Sequence, residues 1–271
     1  MEPRALKFYL EEIKKVKNSN FILREGTPFN ILVSSLINKN IITSSVVSHY
    51  LETLKFPYGC NSKQIFQRKK ETYLPLVKVD VSENSISKEL DIFTNAAYEL
   101  LNTNSEDIKP CIEIALMEIF NNIRSHSKAD KIKYIAQRWN DEFLEIAIYD
   151  NGVGFKETLQ TINEKEALEN AVFKKKSCTG KENRGWGLQT LKVLVLNNEI
   201  KGEFLLVSND NYCYVSKKGK KIDKEFDKFD FNIKGSMIVL RLNNLTKSDF
   251  NVIYDIMLEP DEYVYKNNLL D

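Results

Sequence analysis

Glu118, Asn122 and His126 succeed one another at intervals of four within A-L-M-E-I-F-N-N-I-R-S-H-S, residues 115–127. On a helix that spacing stacks a carboxylate, a carboxamide and an imidazole along one stripe. Leu116, Met117, Ile119, Phe120 and Ile123 make the rest apolar, the pattern of a helix laid on a core. Such a polar stripe is costly to bury without partners and ordinary on a surface. Directly after it, Lys131 to Trp139 and Phe143 to Asp150 alternate like two antiparallel strands turning at Asn140-Asp141. A core-facing helix feeding a β-hairpin commits this part of the chain to an α/β fold.

Two glycine-bearing stretches lie beyond the hairpin. Asp150-Asn151-Gly152-Val153-Gly154 closes the second strand, and Arg184-Gly185-Trp186-Gly187-Leu188 opens an apolar helix. A carboxylate at a strand end can accept from an exocyclic amine such as that of adenine. Glycines at 152 and 154 let backbone approach a flat ring closely. Glycines ahead of a helix leave free N–H groups at its positive end, a site suited to phosphates, with Arg184, Lys181 and Lys176 as added charge. Taken singly, an Asp-Asn-Gly turn and a glycine N-cap with a packed tryptophan account for these stretches as well. Asn122 can offer an amide oxygen to Mg2+, which keeps several waters while binding phosphates. Glu118, one turn before it, is then placed to orient or deprotonate a water or hydroxyl.

Along the chain, Ala5 to Val16 predicts an amphipathic helix and Phe21-Ile22-Leu23 a strand. Helical pieces over Asn30 to Phe56 break around Asn38-Lys39-Asn40. Glu71 to Val81 is extended, and the polar Ser82 to Ser85 marks a domain boundary. This gives an N-terminal α/β domain over 1–83, a main domain over 84–245 and a C-terminal helix and tail over 246–271. In the main domain, helices are expected over Ile86–Leu101, Asp107–His126, around Glu164–Phe173 and over Gly185–Leu196. Further strands are expected over Gly202–Ser208, Asn211–Ser216 and Ser236–Leu242, with a charged hairpin insert over Lys217–Lys234. Asp249–Leu258 predicts a closing helix.

The net charge is +1, from 39 basic and 38 acidic residues, which supplies no global field for nucleic acid or an anionic membrane. No run is long and apolar enough to span a bilayer, and Met1 to Val16 lacks a signal-peptide core. Four separated cysteines, Cys60, Cys111, Cys178 and Cys213, make reduced thiols in a cytoplasm the expectation.

Together and in this order, the E-x-x-x-N helix, the D-x-G-x-G loop and the G-x-G helix start resemble the GHKL ATPases. That superfamily covers gyrase-type topoisomerases, heat-shock chaperones, histidine kinases and MutL proteins. Gly235-Ser236 before an apolar strand is similar to its final G-T element, with Ser for Thr. The resemblance spans roughly residues 86–245. It implies a two-layer Bergerat sandwich: a mixed, mainly antiparallel sheet with helices on one face, binding ATP and Mg2+. Asp150 would contact the adenine amine, and Gly152 and Gly154 would shape its pocket. Asn122 would bind Mg2+ and Glu118 would be the general base. Arg184, Gly185, Gly187 and Leu188 would meet the phosphates, Ser236 would join the nucleotide site, and Phe155 to Arg184 would form an ATP lid.

With His126 included, the motif looks most similar to anti-sigma-factor serine kinases and their stand-alone relatives. An equally good account of His126 is a partial positive charge at a helix C-terminus. The resemblance implies a protein partner or substrate phosphorylated on Ser or Thr, and often a homodimer. Histidine-kinase and ATP-driven clamp readings are the alternatives. Ser48-His49-Tyr50 is faintly similar to a phosphoacceptor box but lacks its acidic residue, and only 26 residues come after Leu245 to build a clamp's transducer. The N-terminal piece is faintly similar to degenerate STAS-like regions, or serves packing or dimerisation.

Overall fold

A computed structural model describes residues 5–15, 20–23, 26–37, 40–62, 72–81, 85–101, 108–139, 143–173, 187–218, 221–243, 245 and 249–258. Helix α1 (Leu6–Lys14) comes first. A small β–α–β unit is next, made of β1 (Asn20–Leu23), α2 (Pro28–Ser34) and β2 (Asn40–Thr43). After α3 (Ser45–Thr53), strand β3 (Tyr73–Asp80) leads into α4 (Ile86–Leu101) and α5 (Ile108–Asn122), which runs on into a π-turn (Ile123–Ser127). Next come β4 (Lys131–Trp139), β5 (Phe143–Asp150), α6 (Gly154–Leu159), α7 (Glu164–Phe173) and α8 (Gly187–Leu196). The chain continues through β6 (Glu203–Ser208), β7 (Asn211–Lys218), β8 (Lys221–Lys228), β9 (Ser236–Leu242) and α9 (Phe250–Leu258).

Seven strands form one sheet in the order β3-β4-β5-β9-β6-β7-β8. Every pairing in it is antiparallel, so the mixed sheet expected from sequence is not found there. Among the described residues the one parallel strand pair is β1 with β2, outside this sheet. β8 occupies the stretch expected as a charged insert. Its K-I-D-K-E-F-D-K sequence is that of an edge strand kept soluble by charge.

Helices cover both faces, not one. On the first, Phe93 of α4, Phe120 of α5 and Leu191 and Leu194 of α8 pack with Val77, Tyr134, Ile146, Ile148, Leu206, Ile238 and Leu240 of the sheet. On the second, Leu6 and Leu10 of α1 and Phe29 and Leu32 of α2 meet Ile135, Ala147, Tyr149, Leu205, Val207, Met237 and Val239. The reason lies in the central strands. S-M-I-V-L-R-L of β9 is buried at every position, and a strand apolar at both parities needs a cover on each side. Residues before 84 thus supply an edge strand and the helical cover of the second face.

The buried charges on that second face explain how the cover is attached. Glu145, Arg241 and Glu203 lie directly opposite one another across β5, β9 and β6. Glu203 accepts from the Leu6 N–H at the start of α1 (2.8 Å), and Glu145 from the Phe29 N–H in the first turn of α2 (2.9 Å). Each carboxylate therefore meets the positive end of a helix. Arg241 sits between them, 3.6 Å from each. Burial pushes the Glu145 carboxyl up to about 7, against the pull of Arg241 and the Phe29 N–H.

Candidate functional site

The expected site residues gather in two clusters joined by the end of α5. Glu118 and Asn122 project from α5 toward the first residue of α8. A Cβ at Gly187 would stand 2.6 Å from Glu118 Oε2 and 3.1 Å from Asn122 Nδ2. Glycine is what lets the start of α8 approach the carboxylate and carboxamide this closely. Glu118 is half-buried, and burial raises its carboxyl above the ordinary range. Among the described residues it has no hydrogen-bond or ion-pair partner, so its charge is available to a ligand or a proton. Arg184 and Gly185 lie outside the described residues, as do Lys176 and Lys181. Leu188 is buried in the apolar core behind the start of α8.

The second cluster surrounds Asp150 at the end of β5. Asp150 pairs with Ile132 on one side and Ser236 on the other, and Ser236 in turn with Ser208. Asp150 is 5% exposed and accepts from the Gly152 N–H at 2.9 Å. Burial pushes its carboxyl up to about 7, and hydrogen bonds from Gly152 and Ser127 partly offset that. The backbone around it leaves no room for side chains. A Cβ at Gly152 would lie 2.2 Å from Ser127 O, and one at Gly235, whose φ is +112°, 2.1 Å from Asp150 O. Gly154 packs against Ser208 and Asn209. Those two donate to the carboxylate of Glu164 at 2.7 Å each and so anchor the start of α7.

The π-turn joins the clusters. An i→i+5 turn widens the helix, so His126 does not continue the stripe of Glu118 and Asn122 as four-residue spacing predicts. The turn instead delivers Ser127 beside Asp150. Ser127 O accepts from the Val153 N–H at 2.8 Å, and its hydroxyl lies 2.8 Å from Ile123 O and accepts from the Ala129 N–H at 3.1 Å. Met117, expected on the core side, is exposed.

Sequence reasoning missed two residues here. Ser127 carried no signal beyond its place after His126. Lys192 is fully buried in α8 and donates to Val172 O (2.8 Å) and Gln189 Oε1 (3.2 Å), over the ring of Phe173. It thereby caps the last turn of α7, and burial pulls its ammonium down to about 7. A lysine in an apolar helix reads as a solvent-facing position until the helix is seen to be covered all round.

No group of three or more His, Cys, Asp or Glu able to hold a metal occurs among the described residues. A cation here would rest on Asn122 and on ligand oxygens, which suits Mg2+ with its retained waters and phosphate partners. No helix among the described residues is long and apolar enough to cross a membrane. No protein-family model matches the chain, and a search of curated proteins finds no match either.

Proposed function

We propose that this chain binds ATP with Mg2+ in a GHKL-type site. It then transfers the γ-phosphate to Ser or Thr of a protein partner, or acts as an ATP-dependent switch for binding that partner. One observation carries the reading. Glu118 and Asn122 abut Gly187 at the start of α8, and the π-turn that ends their helix leads to an Asp150 carboxyl ringed by glycines. The reading assigns the Asp150 cluster to the adenine and the Glu118, Asn122 and Gly187 cluster, at the other end of the turn over Ile123–Ser127, to metal and phosphates. The sheet with α4, α5 and α8 on one face supports a Bergerat layer, and α1 and α2 form an added cover.

In this reading Asp150 accepts from the adenine amine, and the tight backbone at Gly152 and Gly235 shapes the wall beside it. Asn122 holds Mg2+, which neutralises phosphate charge when bound. The free N–H groups at the start of α8 meet the phosphates. Glu118 takes the proton of the attacking hydroxyl or water, and burial, which raises its carboxyl above the ordinary range, makes it a stronger base. Nothing in this chemistry calls for nucleic acid or a membrane. A protein partner, a cytoplasmic setting and a homodimer remain part of the proposal.

Incubation with γ-labelled ATP and Mg2+, with and without products of neighbouring genes, tests it. Label on a partner's Ser or Thr supports the kinase, and free phosphate lost in Glu118→Ala supports a hydrolytic switch. Acid-labile label on the chain itself would point to His49, which stands exposed on α3, and to the histidine-kinase alternative. No retention of ATP by the wild type would refute the proposal.

A further inference from the structure

We propose that Glu164 is a positioning residue for the Asp150 pocket, its carboxylate holding in place the wall on which the adenine rests. The proposal depends on the ATP-site reading and adds to it a residue outside the three motifs. Glu164 opens α7, and each of its oxygens takes one donor. Ser208 Oγ donates to Oε2 and Asn209 Nδ2 to Oε1, both at 2.7 Å. These donors belong to the end of β6 and the turn after it. Ser208 stands opposite Ser236, and Ser236 opposite Asp150, in adjoining strands. The Glu164 carboxylate is therefore tied to the sheet two strands from Asp150.

Each donor passes that hold on to the loop beside Asp150. Ser208 Oγ, its proton given to Glu164, accepts from the Phe155 N–H at 2.9 Å. Asn209 accepts from the Gly235 N–H through Oδ1 at 3.1 Å and donates its own N–H to Gly235 O at 2.9 Å. Gly154 is wedged between the two, since a Cβ there would lie 2.8 Å from both Ser208 Oγ and Asn209 Nδ2. Gly235 in turn backs onto Asp150 O. A carboxylate only accepts, so it draws the Ser208 proton and the Asn209 amide to one side and leaves Oγ and Oδ1 facing the loop.

The helix that Glu164 opens is capped by other residues. Asn163 Oδ1 accepts from the Glu166 N–H at 2.8 Å, and the Glu166 carboxylate accepts from the Ile162 N–H at 3.2 Å. Glu164 is thereby left to the loop. The rest of α7 is locked into the core. Ala167, Leu168 and Val172 are fully buried, and Val172 O accepts from Lys192 at 2.8 Å and from Gln189 at 3.1 Å. Glu164 thus projects from a helix fixed at its far end, and its carboxylate is in place before any ligand arrives.

The test uses the polarity of that contact in the full-length protein, pairing calorimetry of adenosine and of ATP with Mg2+ with hydrogen exchange at the Phe155 amide. Asn209→Asp sets a second carboxylate against Glu164. It should weaken both ligands by the same factor, roughly tenfold, and speed exchange at Phe155. Adding Glu164→Gln to Asn209→Asp lets the new amide donate to the new carboxylate. That swap should return both readings to within about twofold of wild type, which a general loosening of the fold would not allow. Glu164→Ala, at a half-buried position, should lose as much as Asn209→Asp and stands in for it if that variant does not fold. A double variant as weak as Asn209→Asp alone, a loss confined to ATP, or wild-type affinity in Glu164→Ala overturns the proposal. A wild type that binds neither ligand sinks the nucleotide reading, and Phe155 exchange alone then decides whether Glu164 holds the loop.

Discussion

Replacing Asp150 by Asn should make the ligand-free protein more stable while destroying its proposed function. The wild-type carboxyl titrates at about 7 against an ordinary 3.8. That gap of about 3 pH units corresponds to ~4 kcal/mol at 1.36 kcal/mol per unit. The sign comes from linkage. A carboxyl whose folded pKa is raised contributes most below pH 3.8, and the contribution is lost as pH rises through 7. Above pH 7 the folded state therefore carries a buried charge that the unfolded state solvates. Asparagine keeps the shape and removes the charge, its oxygen still able to accept from Gly152 N–H and its amide to donate to Ser127. Relaxation reduces the full figure, so a gain of about 2–4 kcal/mol at pH 8 is expected, raising Tm by about 5–10 °C. At pH 4 the two proteins should melt together. Thermal melts at the two pH values measure this, and calorimetry should find ATP binding abolished, because the adenine amine loses its charged acceptor. A variant less stable than wild type at pH 8, or equally shifted at both pH values, would refute the buried-charge argument. Retained ATP affinity would refute the adenine role.

Two glycine substitutions should behave differently. Gly152→Ala forces a Cβ onto backbone at Ser127 O and should cost about 2–3 kcal/mol in chemical denaturation. Gly187→Ala meets only the side chains of Glu118 and Asn122, so stability should hold while ATP affinity drops at least tenfold; unchanged affinity would mean mere packing there. Glu145→Ala leaves the Phe29 N–H without its acceptor and removes one of the two carboxylates facing the buried Arg241, an expected loss of about 3 kcal/mol. Proteolysis should then open the chain first near α2, and wild-type resistance would show that α2 is held by apolar contacts alone. Lys192 has a lowered pKa, so its contribution is present above pH 10.5 and lost as pH falls through 7. Lys192→Met should therefore gain on wild type in melting temperature from pH 10 to pH 6, and a pH-independent difference would contradict a buried ammonium.

Much of the skeleton was legible because it is written locally. Ser236–Leu242 and Glu164–Phe173 begin and end in the structure where the sequence pattern places them. Alternation, apolar runs and turn residues report on backbone neighbours, and those neighbours decide strand and helix. β2 was not legible for the same reason: it is four residues long and is a strand only because β1 offers it hydrogen bonds, whereas β8, with Ile222 and Phe226 among its charges, falls within the hairpin expected over Lys217–Lys234.

The sequence by itself determined which groups this protein has to work with and their order: a carboxylate and carboxamide on one helix, a carboxylate at a strand end, glycines beside both. Only the tertiary structure decided what those groups can do. It set Gly187 against Glu118 and buried Asp150 until its charge became costly. It widened one turn to bring in Ser127, and it closed the second face of the sheet with helices from the start of the chain. Proximity, desolvation and cover are properties of three-dimensional neighbours, and a residue's chemistry answers to those neighbours more than to the ones beside it in the chain.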